Sequence, residues 1–284
     1  MSALASAPDE LTARPLERLG EGIGKVVYAS EHWVVKRERS PLGMASLIVL
    51  WRSLKRVEPW IPKQWWQRMT ARPTKRLRLM HLFTQAALAV IPRRLWYKAP
   101  VRNQWWTWVT RDRRGESLAR RELDGSGLIP ERIEFPPTRV RVKGWPLWFT
   151  VDEADERVDC TLYDRLEEAA RRRDTRAIDL WLGRFLELRL RGWTYGLFSV
   201  DPHSKNFGVI GDRVVLLDPG GLTDRWDDVE KRLDLEDVVA QPHIQLGLGP
   251  VLGSFPEIAA GFDARWREVV NRDAVRRQWQ AAGA

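Results

Sequence analysis

The spacing of apolar and polar positions changes period along the chain. In RLGEGIGKVVYASEHWVVKRER, residues 18–39, short β-branched runs flank glycines and the turn Ser30-Glu31-His32. That pattern predicts a three-stranded meander. From Ser40-Pro41, a favourable helix start, Met44, Leu47, Ile48, Trp51 and Leu54 recur at helical spacing with Arg52, Lys55 and Arg56 beside them. A second helix is predicted over Thr74 to Ile91, stopped by Pro92, and a third, shorter one over 116–127, closing at its glycines. Two further β-like stretches follow in RIEFPPTRVRV and WPLWFTVDE. Beyond Asp159 helical patterning takes over. In TRAIDLWLGRFLELRLRG the residues Ile178, Trp181, Leu182, Phe185 and Leu188 form one apolar stripe, with Gly192 as the expected C-terminal cap. The residues before Arg18 read as a polar tail. Strands come first and helices second, which predicts an α+β fold with a first region over 1–154 and a mainly helical second region over 155–284.

Composition changes this picture in one place. A chain of 284 residues, 44% apolar and 30% charged, has the ordinary balance of a globular protein large enough for two lobes. Its single cysteine, Cys160, excludes an intramolecular disulfide framework and a cysteine-rich metal site. The apolar stretch at 79–91 is interrupted and falls short of the ~20 residues that span a bilayer. No secretory pattern stands in the first fourteen residues, so a cytoplasmic location is expected. The net charge of +9, however, is unevenly distributed. Between Pro41 and Arg121 there are 18 Lys and Arg against three acids, Glu58, Asp112 and Glu116, and the same block holds eight of the sixteen tryptophans. This predicts a helical, basic, Trp-rich insertion at about 41–115. Three roles are open to it: a subdomain packed on the small lobe, a surface for anionic membrane at the inner face, or, less favoured, a nucleic-acid contact.

The chemistry lies elsewhere. In SVDPHSKNFGVIGDRVVLLDPGG, residues 199–221, Asp201 stands five places before Asn206, and Asp218 follows a β-like run in a Pro-Gly turn. Asn206 and Asp218 are expected on either side of a small hairpin, with Asp201 at its entrance. Oxygen ligands for Mg²⁺ and a carboxylate to orient an attacking hydroxyl are what phosphoryl transfer requires. Near the N-terminus, Gly20, Gly22 and Gly24 would let backbone N–H groups approach phosphates, and WVVK puts Lys36 on the next strand.

These residues resemble the protein-kinase-like superfamily, and the Asp-x-His-x-x-Asn form of DPHSKN is most similar to its small-molecule branch, the aminoglycoside phosphotransferase-like and lipopolysaccharide core kinases. The resemblance covers residues 18–40 and roughly 116–225, leaving the basic block outside. It implies a two-lobed fold with ATP and Mg²⁺ as cofactors. It further implies that Asp201 is the catalytic-loop aspartate, that Asn206 and Asp218 are metal ligands, and that Lys36 contacts phosphates beside the glycines. Glu122 would be the helix glutamate partnering Lys36, with Glu116 as the alternative. Ser199-Val200 replaces the usual His-Arg pair, and Pro219 the usual aromatic. The implied activity is transfer to a hydroxyl of a non-protein acceptor, with a lipid or glycolipid among the candidates. A catalytically silent kinase-like module is the alternative.

Overall fold

In the computed structural model the described residues are 5–21, 24–60, 75–90, 113–143, 148–237 and 241–282. They form a mixed α/β structure with antiparallel sheet, divided into two compact units. The first unit comprises residues 1–110 and 134–154, and the second comprises 111–133 and 155–284.

In the first unit, β1 (Glu17–Glu21), β2 (Lys25–Ala29) and β3 (Trp33–Glu38) pair antiparallel, with Lys36 opposite Val27. β4 (Arg132–Arg141) and β5 (Trp148–Glu156) extend this to a five-stranded sheet of order β1-β2-β3-β5-β4. Pro136 and Pro137 cannot donate ladder hydrogen bonds; both are exposed on β4, which is an edge strand. The strands bury Val26 and Tyr28, Val34 and Val35, then Phe135 and Val140, with Tyr28 and Phe149 rings 5.2 Å apart. The residues read as a polar tail contain a short helix, α1 (Asp9–Ala13), which Leu11 anchors by burying its side chain completely. One leucine in a charged stretch carries too little periodicity to announce a helix.

The basic block is helical where it is described. α2 (Pro41–Val57) buries Ala45, Ser46, Ile48, Leu50 and Leu54, and a single 3₁₀ turn, Glu58–Trp60, follows it. α3 (Lys75–Val90) packs against α2, where His81 Nε2 lies 3.3 Å from the Gly43 carbonyl oxygen. Trp65, Trp66, Trp96, Trp105, Trp106 and Trp108 lie outside the described residues.

The second unit opens with α4, a helix at 113–122. β6 (Cys160–Thr161), β8 (Phe207–Ile210) and β9 (Arg213–Leu216) form a three-stranded antiparallel sheet, and β7 (Phe198–Ser199) pairs antiparallel with β10 (Leu222–Thr223). α5 (Leu162–Arg171) and α6 (Thr175–Thr194) start at side-chain caps: Thr161 accepts from Asp164 N–H and Asp174 from Ala177 N–H. Each such cap contributes about 1 kcal/mol. α6 is the centre of the core, burying Ile178, Leu182, Phe185 and Leu188 of the apolar stripe together with Leu186, while Trp181 is half-buried. It does not end at Gly192. The helix runs on to Thr194, because Trp193 is buried and stacks on Phe198 at 5.9 Å, and the left-handed turn falls instead at Gly196, φ +65°. After β10 come α7 (Trp226–Asp237), α8 (Pro242–Gln245), α9 (Gly249–Leu252), α10 (Pro256–Val269) and α11 (Arg272–Ala282). α5, α10 and α11 pack on α6.

Candidate functional site

The hairpin β8–β9 brings the two expected metal ligands to one end of a ladder. Phe207 pairs with Leu216, so Asn206 just before β8 and Asp218 two residues beyond β9 flank the same rung. The Asn206 carbonyl accepts from Leu217 N–H at 2.9 Å and from Asp218 N–H at 3.4 Å. Its side-chain Nδ2 donates to the Asp201 backbone carbonyl at 3.1 Å, which fixes the amide orientation and leaves Oδ1 as the free acceptor. Asp201 is therefore joined to Asn206 through its backbone, and Asn206 in turn to Asp218. Both carboxylates are exposed, while Asn206 is half-buried.

Further bonds lock the two loops together. β7 precedes Asp201 and β10 follows the Asp218 turn; the two pair, and Val200 N–H donates to Gly221 O at 2.9 Å. Asp218 caps the 3₁₀ turn Pro219–Gly221, its Oδ1 accepting from Gly220 N–H at 3.1 Å. Gly221 lies so close to Asp201 that an added Cβ would stand 3.1 Å from the Asp201 Cβ. From α4, Gly115 presses its backbone on the same turn: a Cβ there would meet Pro219 O at 2.1 Å and Gly220 Cα at 2.9 Å. Arg114 pairs with Asp224 just past β10, so α4 is held on the Asp218 side.

His203 is a structural member of the loop. It caps the 3₁₀ turn Ser204–Asn206, with Nδ1 accepting from Lys205 N–H at 3.3 Å, and its carbonyl accepts from Asn206 N–H at 2.8 Å. The ring stands against Gly247, where a Cβ would come within 2.2 Å of Nε2. Gly247 also has φ +76°, so glycine is required there twice over. Burial pushes the His203 pKa below its usual value, against the opposing pull of the Asp201 carboxylate.

Beneath the loop sits a residue that sequence reasoning missed. Arg189 of α6 is 4% exposed, and both its Nη atoms donate to the Ser199 carbonyl, at 3.2 and 3.3 Å. Its guanidinium lies 4.8 Å from the Phe198 ring and 5.7 Å from that of Trp266. A permanent cation is thus spread between aromatic faces and anchors the strand that leads into Asp201. The available signal was its position four residues after Phe185, inside the arc of the apolar stripe. Gly115 and Gly247 left no comparable signal, because their closeness to Pro219 and His203 is tertiary.

The donor set is two carboxylates and an amide. Among the described residues no group of three His, Cys, Asp or Glu side chains comes together as a metal site. All-oxygen ligation by one or two carboxylates suits Mg²⁺, which keeps waters and takes substrate phosphates as further ligands. Asn206 and Asp218 fit that requirement.

The remaining expected residues stand on other elements of the chain. Lys36 is half-buried on β3, in the first unit. Gly24 accepts from Arg39 N–H through its carbonyl at 2.7 Å, and Gly20 has open space where a side chain would stand. Gly22 lies outside the described residues. Glu122 belongs to the second unit, on α4, where its Oε1 pairs with the neighbouring Arg121 Nε. Comparison with family models, curated proteins and solved structures finds no match.

Proposed function

We propose that this chain is an ATP- and Mg²⁺-dependent phosphotransferase of protein-kinase-like fold, acting on a hydroxyl of a non-protein acceptor. The observation that carries the reading is the joining of Asp201, Asn206 and Asp218 through hydrogen bonds accepted by the Asp201 and Asn206 carbonyls. In this reading the Asp201 carboxylate orients the acceptor hydroxyl and receives its proton. Asn206 Oδ1 and the Asp218 carboxylate hold Mg²⁺, which when bound neutralises charge developing on the transferred phosphoryl group. Lys36, with Gly20, Gly22 and Gly24, remains the proposed set of phosphate contacts, and Glu122 the proposed partner of Lys36. His203 and Arg189 hold the loop that carries Asp201. The acceptor is a small molecule, and the basic block favours a lipid or glycolipid at the cytoplasmic face of a membrane.

The alternative, a catalytically silent module that binds a nucleotide or partner, draws on one observation: Glu122 is engaged by Arg121. Thermal shift by ATP, with and without Mg²⁺, together with ATP turnover separates the two. A Mg²⁺-dependent shift with turnover supports the phosphotransferase. A shift without turnover supports the silent module, and no shift removes both nucleotide readings.

A further inference from the structure

The helical pair of the first unit has one exposed apolar face. Within α3, Met80, Phe83, Ala87 and Val90 are separated by three, four and three residues, which puts them on one stripe of the helix surface. All four are exposed, Met80 by 44%, Phe83 by 66% and Val90 by 86%. Helix α3 meets α2 elsewhere, at His81, which reaches Gly43. Trp60, in the turn that ends α2, is 86% exposed as well.

The charge carried by these two helices has one sign. α3 begins with Lys75, Arg76 and Arg78 and contains no acid along its sixteen residues. In α2, Arg56 is exposed and Arg52 half-buried, and this helix too has no acid. A contiguous apolar face on a soluble surface marks an interaction site. Cations on the same two helices favour a partner that is apolar below and anionic above, which is the layered chemistry of a bilayer of acidic phospholipids. Nucleic acid would use aromatic faces for stacking, whereas three of the four stripe residues here are aliphatic or thioether. No helix among the described residues is long and apolar enough to cross a membrane.

We infer that the α3 stripe of Met80, Phe83, Ala87 and Val90 is a docking surface for an anionic lipid bilayer, on which α3 lies in the interface plane. Phe83 and Val90 enter the headgroup boundary, while the positive charge of the two helices, the exposed Arg56 among it, attracts acidic headgroups. The inference stands apart from the phosphotransferase reading, since it involves none of the residues named for that chemistry.

The test is co-sedimentation of the full chain with vesicles of phosphatidylcholine alone, and with vesicles in which about a quarter of the lipid is phosphatidylserine. Binding is expected with the acidic vesicles only, weakening by about tenfold as salt rises from physiological to molar strength. The double variant Phe83→Ser with Val90→Ser keeps the charge and removes two exposed side chains, so its unfolding midpoint should match wild type while vesicle binding drops about tenfold. Undiminished binding by that variant, equal binding to neutral vesicles, or binding to single-stranded oligonucleotide with none to acidic vesicles would each overturn the inference.

Discussion

The side-chain amide of Asn206 donates to the backbone carbonyl of Asp201 across 3.1 Å, so the proposed metal ligand also shapes the loop presenting the proposed catalytic carboxylate. Asn206→Asp keeps an oxygen ligand but removes the donor and sets a carboxylate against a carbonyl. The expected result is retained Mg²⁺-dependent nucleotide binding with transfer lowered by about 10²-fold or more, because a misplaced Asp201 loses orientation. Equal loss of binding and rate would show that the amide acts only as a ligand.

Asp218→Ala removes the charged member of the metal pair and the cap on Gly220 N–H. The thermal shift given by Mg²⁺ with ATP should vanish, while the unfolding free energy of the free protein falls by about 1 kcal/mol through the lost cap. Differential scanning fluorimetry with and without Mg²⁺ reads both quantities.

Arg189→Met keeps much of the side-chain length but leaves the Ser199 carbonyl without its two donors. A buried acceptor stranded in this way costs about 1–3 kcal/mol, measurable by denaturant unfolding. Because Ser199 lies two residues before Asp201, the rate of transfer should fall further than stability alone accounts for. If both rate and fold are untouched, the anchoring role is wrong.

Gly115→Ala places a methyl carbon 2.1 Å from Pro219 O, a contact with backbone on the far side. Either α4 or the Asp218 turn must move, at a cost of about 1–3 kcal/mol. The expected signature is a lower unfolding midpoint together with a smaller Mg²⁺-dependent shift, since the displaced turn carries Asp218. Gly125→Ala, at an open position but with φ +68°, is the control for strain without displacement of the turn.

His203 sets a pH dependence. Its pKa is lowered in the folded protein by burial, so below the ordinary histidine value the unfolded chain binds more protons than the folded one. The stability contributed by the neutral ring is therefore present above that value and is lost as pH falls through the lowered folded pKa. Unfolding midpoints measured from pH 7.5 down to pH 5 should decline, and His203→Gln, which keeps an acceptor without the titration, should flatten part of that decline. An identical decline in the variant would assign the effect to other groups.

Much of this architecture was legible because it follows from local periodicity. The meander of Val26, Tyr28 and Val35, the helices beginning at Pro41 and near Thr74, and the hairpin between Asn206 and Asp218 each repeat a pattern within a few residues. What escaped is tertiary. Gly192 has the residue type of a cap, yet Trp193 gains more by packing on Phe198, and the helix continues past the glycine. Arg189 looks like a solvated residue on a charged helix until Phe198 and Trp266 enclose it. Gly115 and Gly247 are necessary only because Pro219 and His203, distant in sequence, arrive against them.

The central claim is that Asp201 does chemistry in a cluster built to position it. The most direct measurement is Mg²⁺-dependent consumption of ATP by wild type and Asp201→Asn, made alongside nucleotide binding and thermal unfolding of both. The account predicts turnover by wild type and a loss of about 10²–10⁴-fold in Asp201→Asn, with nucleotide affinity and unfolding midpoint nearly unchanged. Full turnover by Asp201→Asn, or Mg²⁺-ATP binding by wild type with no turnover at all, would contradict it.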